Sequence, residues 1–169
     1  YNINASVTGG NGVGYYYWNG STWTAMKAAA SSGNNWALTG NSGTNSSTNF
    51  LGTTDGQPLN FRVNNVGIGR FATNGAVQIG VGALATDNNS FAIGKDAKAV
   101  YEATSLGMGA NASGNESIAL GKNSKSIYQG TAIGLGAINT GNQSVALGYG
   151  ASSSYQSTAF GYNALTSAN

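Results

Sequence analysis

The stretch Ser117-Ile118-Ala119-Leu120-Gly121-Lys122-Asn123-Ser124-Lys125-Ser126 reads as two short strands joined by a tight turn. Ile118 and Leu120 share one face of the first strand and Ala119 takes the other, the period of two expected of a strand. Gly121 permits the turn. In the second strand Ser124 and Ser126 share a face and Lys125 takes the other. The same phrase recurs along the chain. An apolar residue precedes Gly at Ile79-Gly80, Ile93-Gly94, Leu106-Gly107, Leu120-Gly121, Ile133-Gly134, Leu147-Gly148 and Phe160-Gly161, in steps of 14, 13, 14, 13, 14 and 13 residues. Three residues after each Gly stands a small side chain: Ala83, Ala97, Ala110, Ser124, Ala137, Ala151, Ala164. Two residues before it stand Gln78, Ala92, Ser105, Ala119, Ala132, Ala146 and Ala159.

The alternation of 14 and 13 superimposes a period of 27. Tyr101, Tyr128 and Tyr155 obey it, as do Thr104, Thr131 and Thr158, and Gly82, Gly109 and Gly136. Asn88, Asn115 and Asn142 each open an Asn-x-Ser-apolar-Ala-apolar-Gly phrase. Such repeats are too short for a helix-turn-helix unit and carry no 3.6-residue pattern. Two strands and two turns per repeat predict an all-β parallel β-roll or solenoid of 13–14-residue coils, stacked at about 4.8 Å. Seven coils make a rod roughly 30–35 Å long on that spacing.

A single coil offers two large apolar residues and otherwise Ala or Ser, which poorly offsets the entropy of ordering it. Oligomerisation is therefore expected. Ala92, Ala119, Ala132, Ala146 and Ala159 are the candidates for close approach between chains or coils; facing solvent on a monomer is the alternative. Ile93, Leu106, Leu120, Ile133 and Leu147 are the accompanying candidates for trimer or coil packing.

The phrases SFAIGKDAKA (90–99), SIALGKNSKS (117–126) and SVALGYGASS (144–153) resemble the head repeat of trimeric autotransporter adhesins, the YadA-like head. Intervening coils such as TSLGMGANAS (104–113) carry Thr in place of a large apolar residue. The resemblance runs from about Val77 to Asn169. It implies a left-handed parallel β-roll, a homotrimer about one axis, and a surface-exposed tip that attaches to host matrix protein or cell-surface glycan. It further implies an extracellular place on the bacterial surface, anchored through a part outside this segment. The alternative is a receptor-binding or structural tail fibre of a bacteriophage or phage-like injection system, located on that particle.

Composition narrows the function classes. Only 7% of residues are charged, against about 25% in an average soluble domain. There is no Cys and no His, which removes disulfides, thiolate nucleophiles, the Ser-His-Asp triad and most transition-metal sites. A net charge of +2 from dispersed basic residues is no footprint for nucleic acid. No apolar run is long enough to cross a membrane, so no direct membrane insertion of this segment is expected. The lack of a signal peptide or initiator Met suggests an excised piece of a longer protein. No enzyme activity, cofactor or metal is expected.

Residues 1–75 do not follow the repeat and are expected to form a small β-rich cap or connector domain before the head repeats of 76–169. Tyr15 to Trp23 reads as a hairpin with an Asn19-Gly20 type I′ turn. Met26 to Ala30 is compatible with a short helix, Ser42 to Asn49 reads as a polar loop, and Leu59 to Val63 alternates as a strand. Ile68-Gly69 is a candidate irregular first coil. The segment Asn49 to Arg62 is similar to a phrase found upstream of such heads in bacterial and bacteriophage fibre proteins. Trp18 and Trp23 are candidates to stack carbohydrate. The favoured alternative places Trp18, Trp23 and Trp36 in a small core or threefold interface, because a domain of this size needs its large apolar side chains.

The remaining candidates are surface ladders. Tyr101, Tyr128 and Tyr155 lie in the inter-repeat turn, as a ligand-binding stripe or, preferably, as a stack between alternate coils. Lys95 and Lys122 repeat at one column, and Lys98 and Lys125 at another, as a basic patch for an anionic ligand or a solvated, aggregation-resistant face. Asp55, Asp87, Asp96, Glu102 and Glu116 form no evident pair, with Glu102 and Glu116 placed at different columns. Glycosidase chemistry, a calcium roll and an ice-binding Thr face are accordingly disfavoured. The Asn-x-Ser triplets match the glycosylation acceptor but belong to the repeat itself.

Overall fold

The computed structural model describes residues 15–26 and 36–166, in two compact units, Tyr1–Leu51 and Gly52–Asn169. Within the first unit, β1 (Tyr16–Trp18) pairs antiparallel with β2 (Trp23–Ala25). The expected hairpin is present, but its turn differs. Trp18 faces Trp23, leaving a four-residue loop instead of a two-residue type I′ turn. Asn19 organises that loop: its Oδ1 accepts from the Ser21 and Thr22 amides at 3.0 and 2.9 Å. The Asn side chain thus closes an Asx turn. Residues 42–49 form turns without a strand. Most of the segment proposed as a short helix, 27–30, lies outside the described residues.

In the second unit, β3 (Leu59–Val63) and β4 (Val66–Phe71) form an antiparallel hairpin with Val63 opposite Val66. Its two turn residues, Asn64 and Asn65, have φ of 47° and 60°, the paired positive values of a type I′ turn. Phe61 and Phe71 pack edge to face at 5.7 Å. The long strands follow: β5 (Val77–Ile79), β7 (Phe91–Ile93), β9 (Thr104–Leu106), β11 (Ile118–Leu120), β13 (Thr131–Ile133), β15 (Val145–Leu147) and β17 (Thr158–Phe160). Short strands alternate with them: β6 (Leu84–Ala85), β8 (Lys98–Ala99), β10 (Asn111–Ala112), β12 (Lys125–Ser126), β14 (Ile138–Asn139) and β16 (Ser152–Ser153). The long strands pair parallel in coil order, and so do the short ones, giving the predicted parallel β-solenoid. No helix occurs among the described residues.

The solenoid's unit begins earlier than the expected boundary at 75/76. β4 adds antiparallel to β5, so the hairpin is continuous with the nine-stranded sheet. Ile68-Gly69 accordingly belongs to this antiparallel strand and not to an irregular first coil.

Four columns of each coil point inward: four and two residues before the repeat glycine, and three and five after it. In the Gly107 coil these are Ala103, Ser105, Ala110 and Ala112, all fully buried. The alanines of both sheets pack in common clusters. Among the described residues nothing larger than Ala or Ser is fully buried, with one exception, Asn139. The exception is compensated. Gly130 occupies the facing column, and a Cβ there would collide with the Asn139 side chain. Asn139 Nδ2 donates to the Ser144 carbonyl at 2.8 Å, to Ser144 Oγ, and to Ser153 Oγ at 3.2 Å.

The repeat glycines, Gly80 to Gly161, have φ between 124° and 138°, a region closed to L side chains. Six of the seven also lie under the next coil, where an added Cβ would come within 2.6 Å of the following glycine's carbonyl group. A second left-handed position lies two residues on. There Asp96 and Asn123 lay their side chains over Gly82 and Gly109, so the Gly/Asx alternation of this column interlocks successive coils. A third lies five before the repeat glycine, at Asn89, Glu102, Glu116, Gln129, Gln143 and Gln156. The serine following Asn89, Glu116 or Gln143 turns inward and donates to the carbonyl of Asp87, Gly114 or Gly141, closing the turn. The Asn-x-Ser phrase is thereby a turn device.

Three glycine substitutions test this geometry by thermal denaturation at matched protein concentration. Gly121→Ala meets both the φ barrier and the backbone of Gly134, and should cost about 3 kcal/mol or more. Gly136→Ala, with φ 64° and nothing within 4 Å of the new methyl, should cost only about 1–2 kcal/mol. Gly130→Ala should destabilise by about 1–3 kcal/mol, and adding Asn139→Ala should recover at least about 1 kcal/mol of that loss. The double variant reproduces the methyl-sized pair that Ala103 and Ala112 already make.

Candidate functional site

The structure places the alanine column inside the coil. Ala92, Ala119, Ala132 and Ala146 are fully buried within their own chain, and Ala159 nearly so. They have no surface left to offer a second chain, so of the two expected roles they pack coil on coil and make no interchain contact. The physical reason is the narrow gap between two sheets of two- and three-residue strands, which leaves room for methyls and hydroxymethyls. The large apolar side chains take the outside of the long sheet instead. Ile79, Phe91, Leu106, Ile118 and Phe160 are 36–75% exposed, while Ile93, Leu120, Ile133, Val145 and Leu147 are part-buried. Strand register aligns them coil above coil, for example Leu106 with Leu120 and Leu120 with Ile133. They form one continuous apolar face along the rod.

The column just after the repeat glycine is also outward: Val81, Lys95, Met108, Lys122, Leu135, Tyr149, Tyr162. Lys95 and Lys122 stand here exposed, two coils apart, with Met108 between. Lys98 and Lys125 stand on the short sheet, with Asn111 registered between them. Sequence reasoning missed one feature of this column. Tyr149 and Tyr162, on adjacent coils, stack with centroids 5.3 Å apart and planes at 11°. Their common place after Gly148 and Gly161 was the available signal.

Tyr101, Tyr128 and Tyr155 do lie in the inter-repeat turns, but they do not stack on one another. They are 58%, 63% and 56% exposed and make no ring contact. They occupy alternate coils, about 10 Å apart at the strand spacing, too far for ring contact. The 27-residue recurrence has another cause. A Cβ at Gly114 or Gly141, in the turn one residue longer, would collide with the backbone of Tyr128 or Tyr155 in the next coil. Long and short turns therefore interlock in pairs. The backbone of each Tyr turn is fixed: Tyr101 O accepts from the Glu116 amide at 3.0 Å, and the Glu102 amide donates to Asn88 O at 3.1 Å.

Glu102 and Glu116 share one column, contrary to the sequence expectation. Each stands five residues before its repeat glycine, and the one-residue difference in turn length hid the match. Both are exposed, and Glu116 Oε2 accepts from Gln129 Nε2 of the next coil at 3.1 Å. Around Tyr101 the turns form a polar hollow that also includes Asp87, Asn88, Glu102 and Asn115.

In the first unit, Trp18 and Trp23 meet edge on, centroids 5.7 Å apart at 62°. With Trp36 they stand exposed, so they do not fill a core within the single chain. Among the described residues no group of three or more acidic side chains is placed to hold a metal ion.

The family model for the YadA head domain repeat, a unit of two copies, matches residues 76–97, 101–124, 128–151 and 152–169, a little over half the chain. The chain belongs to the YadA head repeat family. YadA heads are typical of trimeric autotransporter adhesins, which are surface-exposed. The matches 101–124 and 128–151 begin 27 residues apart, so each two-copy match recurs with the pair of long and short turns. No curated protein matches the chain.

Proposed function

We propose that this chain is the head of a trimeric adhesin, a binding module without a reaction of its own. It acts outside the cell, at the bacterial surface, and attaches to host matrix or to other cells. The observation that carries this reading is the apolar outer face of the long sheet in a chain of the YadA head family. The columns three and one before the repeat glycine form a contiguous apolar surface of the kind that marks an interaction site. In this reading three copies bring those faces together about one axis. Val77, Phe91, Ile118 and Val145 share the first column with Thr104, Thr131 and Thr158. The second column is wholly apolar, Ile79 to Phe160, and is the stronger contact.

Light scattering of the full chain should give three times the 17.0 kDa monomer mass. Leu120→Lys should yield monomer, because it places a charge in the middle of the face. Lys98→Ala, on the short sheet, should leave the trimer intact. A wild-type monomer would refute the assembly. Attachment of purified trimer to cells and matrix-coated surfaces, lost in Leu120→Lys and kept in Lys98→Ala, would support the adhesin role.

A further inference from the structure

We infer that the tyrosine-bearing edge of the solenoid is a lattice for an extended, neutral glycan, with one subsite per pair of coils. The inference rests on the adhesin reading and assigns it a ligand class. Three features of the edge carry it.

The first is chemical. Tyr101, Tyr128 and Tyr155 present more than half of their surface to solvent, with no ring partner. The hollow at Tyr101 has no other large apolar side chain; Asn74, Thr86, Asp87, Asn88, Glu102 and Asn115 line the rest of it. An aromatic face beside amides and carboxylates suits a sugar ring, which has an apolar C–H face and a rim of hydroxyls that both donate and accept. A protein partner would instead favour several clustered apolar anchors. The carboxylates of Asp87, Glu102 and Glu116 disfavour an anionic chain.

The second is rigidity. The Tyr101 turn is hydrogen-bonded to the turns before and after it, and the Tyr128 and Tyr155 turns rest on Gly114 and Gly141. The rings are thus held on a fixed frame, which reduces the ordering cost of binding.

The third is spacing. The ladder repeats every two coils, about 10 Å at the strand spacing. In an extended β-1,4-linked glycan alternate rings present the same face, at an interval of one disaccharide, which is close to this distance. One such chain can lie along the rod with every second ring on a tyrosine. The amides repeat with it: Asn88, Asn115 and Asn142 at one column, Gln129 and Gln156 beside the second and third tyrosines.

Binding that depends on ligand length is the signature of such a lattice. Calorimetric titration of the full chain with β-1,4-linked N-acetylglucosamine oligomers should show affinity rising about tenfold or more from the disaccharide to the hexasaccharide. Tyr128→Asn, chosen because Asn tolerates the positive φ of this position, should lower hexasaccharide affinity about tenfold without changing the melting temperature or the trimer. Tyr149→Ala, off the ladder, should leave affinity unchanged. Affinity independent of length, or an equal loss in both variants, would overturn the lattice. Attachment to matrix-coated surfaces by a chain that binds no oligomer would overturn it while leaving the adhesin reading standing. A trimer that binds neither oligomers, cells nor matrix would overturn both.

Discussion

Coil stacking through the repeat glycines is the constraint on which the rest of this molecule depends. At each of these positions the backbone turns with φ near 130°, and at all but Gly161 it lies directly beneath the carbonyl of the next glycine. Either condition alone selects glycine. Together they fix where each coil begins, and hence the register of both sheets. Ala119 then sits over Ser105 and under Ala132 because Gly121 sits over Gly107 and under Gly134. The other left-handed positions are less strict, since Asp96 and Asn123 serve beside Gly82 and Gly109 two residues further on.

So close a stack has a consequence for packing. Short strands joined by tight turns leave a narrow interior, filled by alanine and serine. Burying a methyl contributes on the order of 1 kcal/mol, modest against the entropy of the residues that each coil orders. The serines add turn-closing hydrogen bonds, as Ser117 does to Gly114 at 2.7 Å and Ser124 to Gly121 at 2.9 Å. The larger hydrophobic resource, from Ile79 to Phe160, lies on the outer surface. A coil of this width therefore divides its side chains: backbone pairing and small contacts organise the chain, while the large apolar side chains stand on its outer face.

The period, the parallel stacking and strand β3 were legible because glycine spacing and alternation report directly on backbone geometry. The direction of the alanine column was the part not legible, because its small side chains suit close approach between chains as well as a narrow interior. A better signal was present in the repeats. The four columns around Gly107 and Gly121 hold only Ala and Ser, whereas the column before glycine ranges from Ile to Leu to Phe. An interior of fixed width permits little change in volume; an outer face permits more. Asn139 breaks the rule only opposite Gly130, and that pairing was invisible until the topology brought positions nine residues apart into contact. Glu102 and Glu116 were separated in the sequence reading by counting from the wrong end of a turn of variable length. The hairpin of Trp18 and Trp23 was legible from its aromatic strands, but the exposure of the tryptophans was not, since no repeat constrains them.

The first coil shows how such a stack begins. A parallel solenoid leaves the lower edge of its first coil without partners, and an open edge invites pairing with another chain. On the long sheet the antiparallel hairpin β3–β4 covers that edge, with Arg70 opposite Gln78 and Phe71 opposite Val77. Among the described residues the short sheet has no strand before β6. There the inward column breaks its small-residue rule a second time, and Gln78 Nε2 donates to the Ala85 carbonyl at 2.8 Å. In the coil above, the equivalent carbonyl of Ala99 accepts from the Thr86 amide of the coil below. Gln78 therefore supplies from inside the hydrogen bond that a preceding coil would have given. Its departure from alanine marks the end of the stack, just as Asn139 marks a place where the interior was locally rebuilt.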